Sequence, residues 1–203
     1  MPRSLPAADR ALPLKAQIKP GRYGAEDADG PGVEITVRHP LSIATVIARK
    51  GKADELSRRM AERFGTALPA ARRMSSGSDV TVAWCGPDQY YVTGAGFGEG
   101  ALHRRLVSEL EGLASISDQS HGRVVIGVSG RKARLLLNKG SPVDFHPRAF
   151  PVGATAATQM AHAGVFVTRL GEDAFELSLF RGFSESFWDW LTLQAQEFGY
   201  TVI

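Results

Sequence analysis

Four clusters in this 203-residue chain hold residue types capable of chemistry. In GAGFGEGA, residues 94–101, Gly96, Gly98 and Ala101 match the G-x-G-x-x-A spacing of a dinucleotide-binding turn. Such a turn uses glycine to bring backbone N–H groups against a pyrophosphate. Asp118, 22 residues after Gly96, stands near the place of a ribose-binding carboxylate. The strand before it, QYYVT, is not the unbroken apolar run of a buried parallel strand, and a proline turn pairs it back as an antiparallel one. The stretch therefore reads as a glycine-rich loop entering a helix. Asp144 and His146 lie two apart and share one side of an extended chain, but a metal needs a third protein ligand, and no further His or Asp has the spacing. Asp144 reads as an acceptor for turn N–H groups, and His146 as bonding locally. Asp118, Ser120 and His121 hold the residue types of a triad. Near-neighbours in one turn do not by themselves place a base between nucleophile and orienter. Cys85, beside a hairpin, reads as a small packed residue. No catalytic, cofactor-binding or metal-binding residue is assigned to this chain.

The elements that would position these residues follow from pattern. Val124, Val125, Ile126 and Val128 form a β-branched run suited to a strand covered on both faces. Ser129 is expected to cap the next helix, Ala133, Leu136 and Leu137 to form its apolar face, and Gly140 to end it in a left-handed turn. SIATVIAR, from Ser42, alternates as a strand. Residues 52–64 space Leu56, Met60 and Phe64 as a helix stopped by Gly65, with Glu55 and Arg59 as a surface pair. ALPAARRMSSGS reads as a loop. DVTVAWC and QYYVT make a hairpin around Pro87, then a helix presents Leu102, Leu106 and Leu110, and a strand runs from Ala114 to Gln119. ATAATQMAHA, VFVTRLG and AFELSLF are three further strands. Ser184 is expected to cap the last helix with Phe183 stapled to Trp188; Phe187, Leu191, Ala195 and Phe198 face inward, Gly199 stops the helix, and YTVI is a short strand.

GPDQYYV at 86–92 and GEDAFEL at 171–177 echo each other, each at a hairpin followed by a helix. This points to an α+β fold of two similar strand–helix–hairpin–helix halves, with antiparallel sheets covered by helices. The halves are expected at about 41–113 and 114–203 of a single domain. Residues 1–40 hold six of the eleven prolines and are expected to be an extended arm or tail with little helix or sheet. Removing them should leave the core folded. Leu12, Leu14 and Tyr23 make the arm more apolar than a free tail requires and are candidate subunit contacts. So are Trp190, off the inward stripe of its helix, and Phe150. In SPVDFHPRAFPV, Phe145 is expected in the core and Phe150 against a partner.

Composition bounds the rest. Hydrophobic content of 43% and a net charge of +3 suit one globular domain without a basic stripe for nucleic acid. One cysteine excludes an internal disulfide and fits a cytoplasmic protein. No run approaches membrane-spanning length, and MPRSLPAADRALPLK lacks the apolar segment of a secretion signal.

WCGPDQYY (84–91), SDQSHGRVVIGVSG (117–130), PVDFHPRAFPVG (142–153) and SFWDWL (186–191) resemble, in order and spacing, the gamma subunit of heterotetrameric sarcosine oxidase. The resemblance implies an aminomethyltransferase-like fold, related to the folate-binding domain of the glycine-cleavage T-protein. It implies a non-catalytic subunit of a complex that converts sarcosine to glycine, forms hydrogen peroxide and passes a one-carbon unit to tetrahydrofolate. FAD, FMN, NAD and tetrahydrofolate are then expected on partner subunits: large alpha and beta flavoproteins and a small delta subunit. The rival readings are a stand-alone folate-binding aminomethyltransferase-like protein and, from the glycine loop, a nicotinamide-dependent oxidoreductase.

Overall fold

The computed structural model describes residues 12–26 and 28–203. Its elements are β1 (Gly21–Tyr23), β2 (Val33–Val37), β3 (Ser42–Ala48), α1 (Ala53–Phe64), β4 (Met74–Ser76), β5 (Thr81–Gly86), β6 (Gln89–Gly94), α2 (Ala101–Glu109) and β7 (Ala114–Asp118). They continue with β8 (Arg123–Ser129), α3 (Ala133–Asn138), β9 (Thr155–Met160), β10 (Ala163–Gly171), β11 (Ala174–Phe180), α4 (Ser184–Ala195) and β12 (Tyr200–Val202). A five-stranded sheet runs in the order β4-β5-β6-β3-β7, and a seven-stranded one in the order β1-β12-β2-β8-β11-β10-β9.

The two orders are the same unit built twice. In each, a strand and a helix lead into a three-strand meander, a second helix and a closing strand. The strand that opens the unit, β3 or β8, pairs with the last strand of its meander. Both hairpins that echo in sequence shift register just before their turn, at Trp84/Gly86 and at Arg169/Gly171. The closing strands differ. β7 pairs directly with β3, whereas β12 is held one place away from β8 by β2, which pairs antiparallel with β8 and parallel with β12. Because β7 belongs to the first sheet, the first unit extends beyond the expected limit at 113, to 118.

Apolar alternation explains which faces are covered. Leu56, Met60 and Phe64 of α1 and Leu102 and Leu106 of α2 pack on Ala44, Val46, Val82 and Val92 of the first sheet. Val124, Ile126 and Val128, with Val165, Val167, Leu177 and Leu179, pack under α3, α4 and the Pro-rich loop. A small third cluster, Leu41, Ile43 and Val125, lies between the sheets. The layers are therefore helices, sheet, sheet, helices, with the two uncovered sheet faces turned toward each other. Backbone bonds join the sheets at one side: Met74 N donates to Gly153 O at 2.9 Å and Thr155 N to Arg72 O at 2.9 Å.

The expectation that residues 1–40 form little strand fails at β1 and β2. VEITV alternates Val33 and Ile35, buried, with Glu34, exposed, so one edge of the pattern enters the core. Each such apolar side chain contributes about 1.5–3 kcal/mol of burial. The backbone of this segment also grips the chain end: Ala25 N donates to Gln196 O at 2.7 Å and Gly32 N to Phe198 O at 2.9 Å. Gly199 permits this approach, since it adopts φ 61° and a Cβ there would lie 2.3 Å from Ala25 O. Leu14 is 6% exposed and sits in the second sheet's core, which removes it from the subunit contacts; Leu12 and Tyr23 stay on the surface, at 37% and 39%.

Other local corrections have simple causes. α3 starts after Lys132 without a side-chain cap, and the Ser129 hydroxyl instead donates to Glu34 at 3.3 Å. Gly140 is not left-handed; it is small because a Cβ would lie 2.4 Å from the Trp190 ring. Trp190 is thus half-buried on its own chain, with Phe187 5.6 Å away. Ser184 is the first residue of α4, its hydroxyl donates to Arg181 O at 2.7 Å, and Phe183 is exposed rather than stapled. Glu55 pairs with Lys52 at 2.8 Å, not with Arg59. β4 forms inside the expected loop at 67–78. ATAATQMAHA is a strand only to Met160; Ala161 and His162, at φ 50° and 66°, make the two-residue turn into β10.

The division between Phe145 and Phe150 is also corrected. Both are in the core, at 0% and 1% exposure, with their rings edge to face at 5.4 Å. Ile35→Ala and Phe150→Ala are each expected to cost about 2–5 kcal/mol of fold stability. Thermal melts of the isolated chain check this, and either variant melting like the parent would contradict it.

Candidate functional site

The residues singled out for chemistry do not converge. The glycine loop leaves β6, which is antiparallel to both its neighbours β3 and β5, and enters the short helix α2 after Gly100, at φ 65°. Asp118 accepts from Ser120 N at 2.8 Å. The Ser120 hydroxyl is buried; it accepts from Ile43 N at 2.9 Å and donates to Ile43 O at 3.2 Å. That side chain completes the ladder of β3 and pins the β7–β8 turn, so it is not placed as a nucleophile. His121 turns away to Glu99 at 2.9 Å, on the surface. Asp144 accepts from His146 N at 2.8 Å, and His146 Nδ1 from Arg148 N at 3.3 Å, as the turn reading requires. Among the described residues no group of three His, Cys, Asp or Glu could hold a metal ion.

Polar groups gather instead between the sheets. Arg123 opens β8 on the uncovered face. Its guanidinium carbon lies 4.5 Å from the Tyr91 ring centroid and 4.4 Å from that of Phe180, and Nη2 donates to the Tyr91 hydroxyl. Tyr91 meets Phe166 edge-on at 5.1 Å. A cavity of about 200 Å³ opens here, lined by Arg123, Tyr91, Cys85, Phe166, Phe180 and Gly164 among others. Burial pushes the Cys85 thiol up to about 11, against the opposing pull of Arg123, so the group stays protonated and is no activated nucleophile. Burial also raises the Tyr91 phenol. Further along the same face Glu176 accepts from Arg38 at 2.6 Å.

Alternation along β8 and β11 placed these residues on one face, but the sequence reading passed over Arg123 and Glu176. It also missed Arg169, which is 2% exposed on the core side of β10. Its guanidinium donates to Phe150 O at 2.6 Å, Gly171 O at 3.0 Å and Glu172 O. Phe150 is thereby fastened inward by backbone as well as ring. The signal was present: Val165, Val167 and Arg169 share one side of a strand.

The sarcosine oxidase gamma subunit family model matches residues 51–197, a span that takes in the hairpin, β8, the Pro-rich loop and all of α4. The chain belongs to the sarcosine oxidase gamma subunit family. Sarcosine oxidase subunit gamma of Arthrobacter sp. is 35% identical over 177 residues, covering 84% of this chain and 85% of its own length. The subunit from Corynebacterium sp. (strain P-1) is 35% identical over 143 residues, covering 68% of this chain and 69% of its own. Heterotetrameric sarcosine oxidase from Corynebacterium sp. U-96, solved in complex with pyrrole 2-carboxylate, holds a chain that matches with a TM-score of 0.74 and 26% identity, over 87% of this chain and 88% of that one. The aminomethyltransferase T of the glycine cleavage system from Bartonella henselae shares the fold, with a TM-score of 0.64 and 13% identity over 86% of this chain and 48% of its own.

Glu176 carries a pH dependence of known sign. Burial raises its carboxyl above the ordinary glutamate value, with Arg38 opposing. The folded chain then holds that proton more tightly than the unfolded chain. The associated stability is fully present below the unfolded value and is lost as pH rises through the folded one. Urea midpoints should therefore fall less between about pH 4 and pH 7 in Glu176→Gln than in the parent; parallel pH curves for the two would contradict the assignment.

Proposed function

We propose that the chain is the gamma subunit of a heterotetrameric sarcosine oxidase and acts through assembly, without an active site of its own. The observation that carries this is the match to a chain of a heterotetrameric sarcosine oxidase over 88% of that chain's length. The internal bonding of Ser120, Asp118 and Asp144, and the neutral Cys85 thiol, support a role without chemistry on this chain. The complex converts sarcosine to glycine, reduces oxygen to hydrogen peroxide and delivers the one-carbon unit to tetrahydrofolate. FAD, FMN, NAD and tetrahydrofolate are bound by partner subunits, the large alpha and beta flavoproteins, which a small delta subunit completes in the cytoplasm. No helix among the described residues is long and apolar enough to cross a membrane. Leu12, Tyr23 and the outer edge of Trp190 remain contact candidates. The likeness to aminomethyltransferase T favours one second reading, a stand-alone folate-binding protein.

A tagged chain recovered from its native host is expected to bring down two large flavin-containing subunits, with the flavin absorbance in the complex and none in the isolated chain. Recovery of the chain alone would contradict the assembly reading. Transfer of a one-carbon unit to tetrahydrofolate by the isolated chain would establish the second.

A further inference from the structure

We infer that the inter-sheet cleft at Arg123 receives an acidic side chain from a partner subunit; this deepens, and rests on, the assembly reading. Arg123 has no carboxylate in ion-pair range among the described residues, and its Nε is buried without a hydrogen-bond partner. Its neighbours cannot supply the charge. Cys85 is protonated, burial raises the Tyr91 phenol, and Glu176 is taken by Arg38. A partly buried guanidinium with five donors and no anion is costly unless an anion arrives.

Geometry restricts the occupant. Tyr91 and Phe180 cover the guanidinium with rings at 4.5 and 4.4 Å. An acceptor must then come in edge-on, in the guanidinium plane, the approach that suits a planar carboxylate. The cavity, about 200 Å³, is smaller than the about 300–1,000 Å³ of pockets that enclose organic cofactors. It has room for the end of one Asp or Glu. Phe180, at its rim, is 50% exposed, and Gly164 leaves the mouth free of side chain. An arginine framed by aromatic rings, with apolar rim surface still to be covered, has the make-up of an interface hot spot.

Cys85 lines this cleft and is the chain's single cysteine, so its alkylation reports occupancy. Iodoacetamide at about pH 9, read by peptide mass spectrometry, is expected to label Cys85 in the isolated chain about tenfold or more faster than in the assembled complex. Arg123→Gln should weaken assembly about tenfold or more. Arg58→Gln, an exposed change of equal charge on α1, should leave assembly unchanged. If Arg123→Gln fails to fold, the labelling of the unaltered proteins still decides. Equal labelling of Cys85 in the free and assembled chain would overturn the inference and leave the assembly reading standing. Absence of any complex would overturn both. Protection of the isolated chain by millimolar benzoate would assign the cleft to a free acid and overturn the partner side chain.

Discussion

The pairing of Val33–Val37 along both its edges is the constraint on which the second half of the molecule depends. In the first unit the closing strand β7 sits directly on β3. In the second, the slot beside β8 is filled by a strand from the other end of the chain, and β12, with β1 on its outer edge, joins the rest of the sheet only through β2. Remove β2 and both β8 and β12 lose a ladder of backbone bonds, while Val33 and Ile35 leave a gap in the second core. The turn at 196–199 is shaped around the same segment. Contacts so distant in sequence add to the loop-closure entropy of folding. The N-terminal segment is thus part of the fold before it can be part of an interface.

This use of the N-terminal strand bears on function. With helices on both outer faces and β2 completing the larger sheet, the core-facing apolar side chains of each unit are covered within the chain. What is left uncovered is the pair of inner sheet faces, joined at Thr155 on one side and at Ser120 on the other. Those faces carry the charges that the strands' alternation sends away from the cores: Arg38, Glu176 and Arg123. In this chain the inner-face charges and the core-packing side chains therefore lie on opposite sides of the same strands.

Much of this was legible where one local pattern acts alone. Leu56, Met60 and Phe64 with Gly65, the Pro87 turn, the β-branched run of β8 and the alternation of AFELSLF all form as their residues suggest. The misses arise where tertiary neighbours decide. VEITV alternates cleanly, but the surrounding prolines and glycines hid a strand that forms only against β8 and β12. Gly140 looked like a helix stop, yet its size is set by Trp190. Ser129 looked like a cap, but α3 begins only at Ala133, with Lys132 at its N-cap position. Ala161 and His162 turn a hairpin without the Asn-Gly signature. Phe150 was expected against a partner, but Arg169, reaching across from β10 to its carbonyl, holds it in the core.

Native-state hydrogen exchange of the isolated chain tests most directly whether β2 is integral to the fold. If it is, the amides of Val33–Val37 exchange only through global unfolding, with protection equal to that of Ile126 and Val128 in β8. Exchange in β2 that is orders of magnitude faster than in β8 would contradict it, and would return the first forty residues to the role of an arm.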